Sequence, residues 1–140
     1  MRKIKILVFL ILLITMTGCQ SSQIEKESKY VNGVPDCVSS FESNGDYQLM
    51  ILAHQEEIVD KEAFSLKLIE MVRNNEFKTI MFSYDVNGYP VGVQMNVYLT
   101  EEDWKNKEIE PCMRVYFRQE NIVSGYNIVE HYDEFQLNVE

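Results

Sequence analysis

Basic residues are few in this 140-residue sequence. Thirteen lysines and arginines stand against 22 acidic residues, so the formal net charge is −9. Nucleic-acid binding requires basic patches that neutralise phosphates, and this imbalance therefore argues against a nucleic-acid partner. The acidic charge identifies no particular partner by itself, because its main effect is on solubility.

Histidine is scarcer still, with only His54 and His131 in the whole sequence. A zinc site usually takes three or four ligands from His, Cys and carboxylate side chains. Acidic residues stand near both histidines: Glu56 and Glu57 after the first, and Glu130, Asp133 and Glu134 around the second. Because acids are frequent throughout this sequence, solvated loops explain both groups. We therefore predict neither a metal nor another cofactor.

Motifs of the common catalytic classes are missing. No GxSxG surrounds a serine, no HExxH is present, and there is no glycine-rich phosphate loop. Asp85, Asn87 and Gly88 resemble part of a calcium loop, but the closing glutamate is missing, so they predict a hairpin turn. We therefore expect a protein that is not an enzyme. The alternative is a membrane-tethered hydrolase or metal-dependent enzyme that uses His54 and His131 with nearby acids.

Only one long apolar run occurs, and it stands at the start of the sequence. Arg2, Lys3 and Lys5 supply positive charge, and Ile6 to Ile14 follow without an acidic residue. A membrane-spanning helix needs about 20 apolar residues, so this run is too short to span a bilayer comfortably. A basic start, a short apolar run and small residues before a cleavage site are typical of a secretory signal peptide.

The end of this run is more specific. Met16, Thr17, Gly18 and Cys19 resemble the lipobox of bacterial lipoproteins, in which a large apolar residue and two small residues precede a cysteine. The resemblance covers residues 1–19 only. It implies that residues 1–18 are removed as a signal peptide and that a diacylglyceryl group is attached to Cys19. The protein is then anchored at the extracytoplasmic face of the cell membrane, since two acyl chains suffice for stable anchoring.

The residues after the anchor divide into a tether and one domain. Gln20 to Lys29 are polar and charged apart from one isoleucine, which predicts a flexible tether. Two turn dipeptides follow, Asn32-Gly33 and Pro35-Asp36. We assign residues 19–43 to the lipidated cysteine, the tether and an irregular lead-in, and residues 44–140 to a single domain.

Cysteine is limited to three residues. If Cys19 carries the lipid, Cys37 and Cys112 remain as an even pair outside the cytoplasm, where disulfides form. The sequence leaves two interpretations open for this pair: a disulfide, or two separate buried thiols.

Hydrophobic patterning predicts one long helix and several strands. Asp60 can cap a helix over Lys61 to Asn74, in which apolar residues recur at helical spacing. Thr100 can cap a second, short helix. Strands are predicted over residues 47–54, 77–85, 91–99, 112–119, 126–129 and 135–139, the first of them buried on both faces. These elements indicate an α+β domain, with an antiparallel sheet of about five to six strands packed against one main helix in a ferredoxin-like or cystatin-like order.

One surface is a candidate binding site. Alternation in residues 91–99 and 112–119 places two sets of side chains outward: Gln94, Asn96 and Tyr98 on one strand, and Arg114, Tyr116 and Arg118 on the other. If the two strands are neighbours, these six residues form one patch. Tyr and Arg are frequent in binding hot spots, although an ordinary solvated sheet face would show the same alternation.

Together these features predict a membrane-anchored extracytoplasmic lipoprotein that acts as a non-catalytic binding or accessory domain. The predicted partner is a protein or another component of the cell envelope. A small-ligand site between helix and sheet is a further alternative, which requires a cavity that a sequence does not show.

Overall fold

The computed structural model describes residues 33–140. The predicted signal peptide, Cys19 and the predicted tether lie outside these residues. The described part contains β1 (Asp36–Ser43), β2 (Asp46–Leu52), α1 (Lys61–Asn74), α2 (Tyr84–Asn87), β3 (Gly92–Tyr98), α3 (Glu101–Lys105), β4 (Met113–Gln119), a 3-10 helix (Tyr132–Glu134) and β5 (Phe135–Val139). No helix in this part of the chain is long and apolar enough to span a membrane.

The strands form one five-stranded sheet in the order β1-β2-β3-β4-β5. β2 and β3 run parallel, and the other neighbouring pairs are antiparallel. The α+β class is therefore as predicted, but the sheet is mixed rather than wholly antiparallel. The parallel pair arises because α1 and the residues after it carry the chain from the end of β2 back to the start of β3, as a crossover connection requires.

The predicted strand over residues 77–85 does not form, and this segment is a loop that leads into α2. The backbone of this loop is hydrogen-bonded to two side chains instead of to a neighbouring strand. The Asp36 carboxylate accepts hydrogen bonds from the N–H groups of Lys78 (2.9 Å) and Thr79 (3.1 Å). The Asn75 side chain accepts from Phe82 N–H (2.7 Å) and donates to the Phe82 carbonyl (2.8 Å). The ferredoxin-like order, which needs a strand directly after the helix, is therefore not observed.

The tight hairpin also lies at a different place from the predicted one. Asn87-Gly88 is not a hairpin turn, because Gly88 ends α2 and its N–H donates to the Tyr84 carbonyl (3.0 Å). The hairpin lies instead at Asn44-Gly45, where both residues have positive φ (53° and 81°), as a two-residue type I′ loop requires. It joins β2 to β1, which occupies residues that the sequence predicted as an irregular lead-in.

Residues 126–129 form turns rather than the predicted strand. The Asn127 side-chain oxygen accepts hydrogen bonds from the N–H groups of Val129 (3.1 Å) and Glu130 (2.9 Å). Arg73, near the end of α1, donates to the carbonyls of Ile128 (3.0 Å) and Val129 (3.3 Å). Because these contacts satisfy the backbone locally, the segment needs no sheet partner.

The long helix α1 has the predicted bounds. The Asp60 side chain accepts from Ala63 N–H (2.9 Å), and Asn75 closes the other end in the left-handed conformation (φ 57°). The core packs against one face of the sheet. Its buried side chains include Leu68 and Ile69 from α1, and Leu49, Ile51, Val93, Met95, Val97, Met113, Val115 and Phe117 from the strands. The alternate strand residues therefore point away from the core.

Candidate functional site

The six predicted surface residues lie on the face of the sheet that points away from the core. Gln94 on β3 is opposite Tyr116 on β4, and Asn96 is opposite Arg114. β3 and β4 are thus neighbours, which is the condition on which the predicted patch depended. Tyr98 and Arg118 continue the same two alternating series toward opposite ends of the patch.

This face extends over all five strands, because the register aligns alternate residues across the sheet. One row contains a residue from each strand: Phe41, Gln48, Gln94, Tyr116 and Asn138. We call the outward strand residues the open face: Ser39, Phe41, Asp46, Gln48, Met50, Gly92, Gln94, Asn96, Tyr98, Arg114, Tyr116, Arg118, Gln136 and Asn138. Gln48 is exposed and Met50 half-buried, so β2 is not buried on both faces as predicted.

Phe41 adds an exposed aromatic ring to the edge of the open face. Its side chain is 62 % exposed, whereas Tyr98 and Tyr116 are half-buried. The sequence analysis missed Phe41 because it placed residues before Ser43 in an irregular segment. The Asn44-Gly45 dipeptide, directly before an apolar run, was the signal that could have identified β1 as a strand.

Both arginines on the open face are held by carboxylates. Arg114 Nη2 lies 2.5 Å from Glu110 Oε2, and Arg118 Nη2 lies 2.7 Å from Asp46 Oδ2. The guanidinium carbon of Arg118 is also 6.0 Å from the centre of the Tyr116 ring. Such exposed pairs contribute little to stability. They do orient the two guanidinium groups, and they leave the open face close to neutral in a strongly acidic chain.

Asn96 lies near the middle of the open face, between Met50 on β2 and Arg114 on β4. Its side-chain nitrogen is 3.7 Å from Met50 Sδ. Its side-chain oxygen is buried and has no hydrogen-bond partner among the described residues. A buried acceptor without a donor costs about 1–3 kcal/mol, so Asn96 is at this position at a cost to stability.

Cys37 and Cys112 are both free thiols, so the first of the two open interpretations, a disulfide, is not observed. Strand order gives the reason. Cys37 pairs with Ile51 on β2, Ile51 pairs with Val97 on β3, and Val97 pairs with Met113, the neighbour of Cys112. Three inter-strand steps of ~4.8 Å place the two cysteines roughly 14 Å apart, whereas a disulfide needs Cα atoms within about 7 Å.

The two thiols also differ in their surroundings. Cys37 is buried, and its Sγ donates to the Ser39 carbonyl (3.3 Å). Burial raises the pKa of Cys37 to about 12. A thiol with so high a pKa is protonated near neutral pH, which makes Cys37 unsuited to act as a nucleophile or metal ligand. Cys112 is exposed at the start of β4 and is therefore not the second buried thiol of the alternative interpretation.

The two histidines lie at opposite ends of the sheet. His54 follows β2, and its N–H donates to the Leu99 carbonyl just after β3 (3.0 Å). His131 stacks on Tyr126, with ring centres 4.0 Å apart. This segment lies near the other end of β3, because the Ile128 N–H donates to the carbonyl of Pro90, which comes just before β3. A strand of this length separates its two ends by about 20 Å. His54 and His131 therefore do not share a metal or catalytic centre.

Within residues 33–140, no group of three or more His, Cys, Asp and Glu side chains is arranged to hold a metal ion. The open face is where the structure brings together the residues predicted as a binding patch. Comparisons of the chain with protein-family models, with curated proteins and with solved structures find no match.

Proposed function

We propose that this chain is a membrane-anchored extracytoplasmic lipoprotein whose open face binds a partner protein or another cell-envelope component without catalysing a reaction. The observation that carries the proposal is the position of Tyr98, Arg114 and Tyr116 on adjacent strands of one outward face, with the exposed Phe41 at its edge. Tyrosine and arginine provide large contact area and directed donors, which is why they are frequent in binding hot spots.

The charge distribution supports binding on this face rather than elsewhere. On the open face the charges of Arg114 and Arg118 are opposed by those of Glu110 and Asp46, which pair with them, and Glu140 is hydrogen-bonded beside Arg114. The face is therefore close to neutral, whereas the whole chain has a net charge of −9. A partner with an acidic or amide-rich surface meets less repulsion here than on the rest of the chain.

The anchoring part of the proposal rests on Met16, Thr17, Gly18 and Cys19. We expect Cys19→Ala to abolish lipid attachment and to remove the lipidated mature form from the membrane fraction. Metabolic labelling with a fatty acid, followed by membrane fractionation, measures both effects. Cys112→Ala serves as the control, because it removes another cysteine without touching the lipobox. Fatty-acid label retained on the Cys19→Ala chain would contradict lipid anchoring at this residue.

The binding part is tested by crosslinking the anchored protein in its own membranes and identifying what is captured by mass spectrometry. We expect the combined Tyr98→Ala, Arg114→Ala and Tyr116→Ala variant to lose the captured partner. A control variant carries Glu62→Ala, Leu66→Ala and Lys67→Ala on the exposed side of α1. The control should capture the partner as wild type does, and far-UV circular dichroism of both variants verifies that each is folded.

A further inference from the structure

A concave surface adjoins the open face at the end of the sheet where β3 begins and β4 ends. This cleft has a volume of about 480 Å³, within the range of roughly 300–1,000 Å³ that is usual for small-molecule sites. Three of its lining residues, Asp46, Gly92 and Arg118, belong to strands of the sheet, and we call them the floor. Three further lining residues are apolar, Val91, Ile122 and Val123, and we call them the wall. We propose that the cleft binds an uncharged peptide group, namely an apolar side chain together with the backbone amides that flank it.

The floor offers hydrogen-bonding groups without net charge. Arg118 Nη2 donates to Asp46 Oδ2 (2.7 Å), and the other guanidinium N–H groups have no acceptor among the described residues. Asp46 Oδ1 in turn has no donor there. A peptide carbonyl can accept from the free Arg118 N–H groups. Asp46 Oδ1 is buried, so a peptide N–H reaches it only after the Arg118 side chain moves. Because Arg118 and Asp46 neutralise each other, a charged ligand gains little net attraction from the floor and still loses hydration beside the apolar wall, which disfavours charged ligands.

Gly92 is what allows this floor to exist. A Cβ at this position would lie 2.7 Å from Asp46 Oδ1 and 3.4 Å from Arg118 Cγ. Any residue other than glycine at position 92 would therefore place its Cβ against the Asp46 carboxylate and close to the aliphatic part of the Arg118 side chain. Because the Arg118 side chain is 44 % exposed, it can rotate to open Asp46 Oδ1 to a donor in the cleft.

The wall exposes apolar side chains that a ligand would cover. Ile122 is 90 % exposed, Val123 is 45 % exposed and Val91 is 40 % exposed. Exposed apolar side chains grouped beside a concave surface mark a binding site more often than scattered ones do. An apolar side chain in the cleft gains contact with all three, while its flanking amides face the floor.

The cleft shares Asp46, Gly92 and Arg118 with the open face, but Tyr98, Arg114 and Tyr116 do not line it. Binding in the cleft therefore goes beyond capture by those three residues and does not depend on them. The two can therefore be tested separately. The cleft is tested with isotope-labelled full-length protein in detergent micelles and three soluble probes. N-acetyl-leucinamide is uncharged, N-acetyl-leucine carries a carboxylate, and leucinamide carries an ammonium group.

We expect the uncharged probe to shift the amide resonances of Val91, Arg118 and Ile122, with affinity at least about threefold higher than that of either charged probe. Ile122→Ser should weaken binding of the uncharged probe at least about threefold, because it removes an apolar contact. Val59→Ser is the matched control: Val59 is also 90 % exposed but lies outside the cleft, and its substitution should leave the affinity unchanged.

Four results would overturn the cleft proposal: no shifts up to the solubility limit of the uncharged probe, shifts centred elsewhere, equal affinity for the three probes, or equal effects of the two serine variants. The variant with Tyr98, Arg114 and Tyr116 replaced by alanine should bind the probe as wild type does. Loss of membrane capture with retained probe binding therefore concerns the open face alone.

Discussion

Substitution of Asp36 should detach the loop of residues 77–83 from the sheet. Asp36 is 8 % exposed. Its carboxylate accepts hydrogen bonds from the N–H groups of Cys37 (3.0 Å), Lys78 (2.9 Å) and Thr79 (3.1 Å), and from the Thr79 hydroxyl. No strand within residues 33–140 pairs with this loop. The Asp36 carboxylate therefore accepts the backbone hydrogen bonds that a neighbouring strand would have accepted if residues 77–85 had formed a strand.

The size of the effect follows from the number and kind of these hydrogen bonds. A hydrogen bond to a charged group contributes about 1.5–3 kcal/mol, and several bonds to one carboxylate are not additive. We expect Asp36→Ala to lower the free energy of unfolding by about 3 kcal/mol. Asp36→Asn keeps one acceptor and loses the charge, so it should lower the free energy of unfolding by about 1 kcal/mol.

The same contacts predict how stability depends on pH. Burial raises the pKa of the Asp36 carboxyl, but hydrogen bonds from Thr79, Lys78 and Cys37 together outweigh burial, so the pKa is lowered overall. A carboxyl with a lowered folded-state pKa stabilises the fold above its unfolded pKa of about 3.9, and this contribution is lost as the pH falls through the folded-state pKa. The stability difference between wild type and Asp36→Asn should therefore be constant near neutral pH and shrink below about pH 4.

Urea denaturation, followed by fluorescence of the single tryptophan, Trp104, measures these differences at several pH values. The reasoning would be refuted if Asp36→Ala changed the free energy of unfolding by less than about 0.5 kcal/mol, the range of ordinary surface substitutions. If the free energies of unfolding of wild type and Asp36→Asn still differ by the same amount in acid, the charge of Asp36 is not the source of the difference.

Two further predictions concern the hairpin and the thiols. Gly45→Ala should lower the free energy of unfolding by about 2 kcal/mol and Gly125→Ala by about 1 kcal/mol. Both glycines have positive φ, but only at Gly45 would the new Cβ meet Val91, at 3.1 Å. Thermal unfolding measures both losses, and equal losses would show that the contact with Val91 is unimportant. In native protein a maleimide should label the exposed Cys112 and leave the buried Cys37 unlabelled until the chain is unfolded. Peptide mass spectrometry identifies the labelled residues. A Cys37–Cys112 disulfide would contradict the strand order.

Signals that lie within one segment predicted the structure well. The helix α1 has its cap residue, its apolar spacing and its terminating asparagine in consecutive sequence, and the structure has the helix with the predicted bounds. β3 and β4 alternate, and the six outward residues predicted from this alternation do point away from the core. Val91, which belonged to the predicted strand, lies before β3 and is 40 % exposed. In these elements local propensity and tertiary packing agree.

Signals that depend on distant residues were misread. Residues 77–85 were predicted to form a strand, but residues 77–83 form a loop that is fixed by Asp36, 42 positions before Lys78. β1 has few inward apolar residues, so its identity as a strand depends on pairing with β2 through the Asn44-Gly45 turn. A periodicity argument treats each segment alone and therefore cannot include either contact.

The candidate site shows the same division. The outward residues of β3 and β4 could be identified from alternation alone, and the structure places them side by side. Two other features depend on the order of strands in the sheet. One is the position of Phe41 on the same face, and the other is the separation of Cys37 from Cys112, which is too large for a disulfide. Strand order is a property of the whole chain, which local patterns leave open.

The claim that the open face binds a partner is tested most directly by crosslinking in native membranes with wild type, the variant lacking Tyr98, Arg114 and Tyr116 side chains, and the α1 control variant. The proposed function predicts one reproducible partner, captured by wild type and by the control and lost from the open-face variant. Equal capture by all three folded proteins, or no partner above background for wild type, would contradict it.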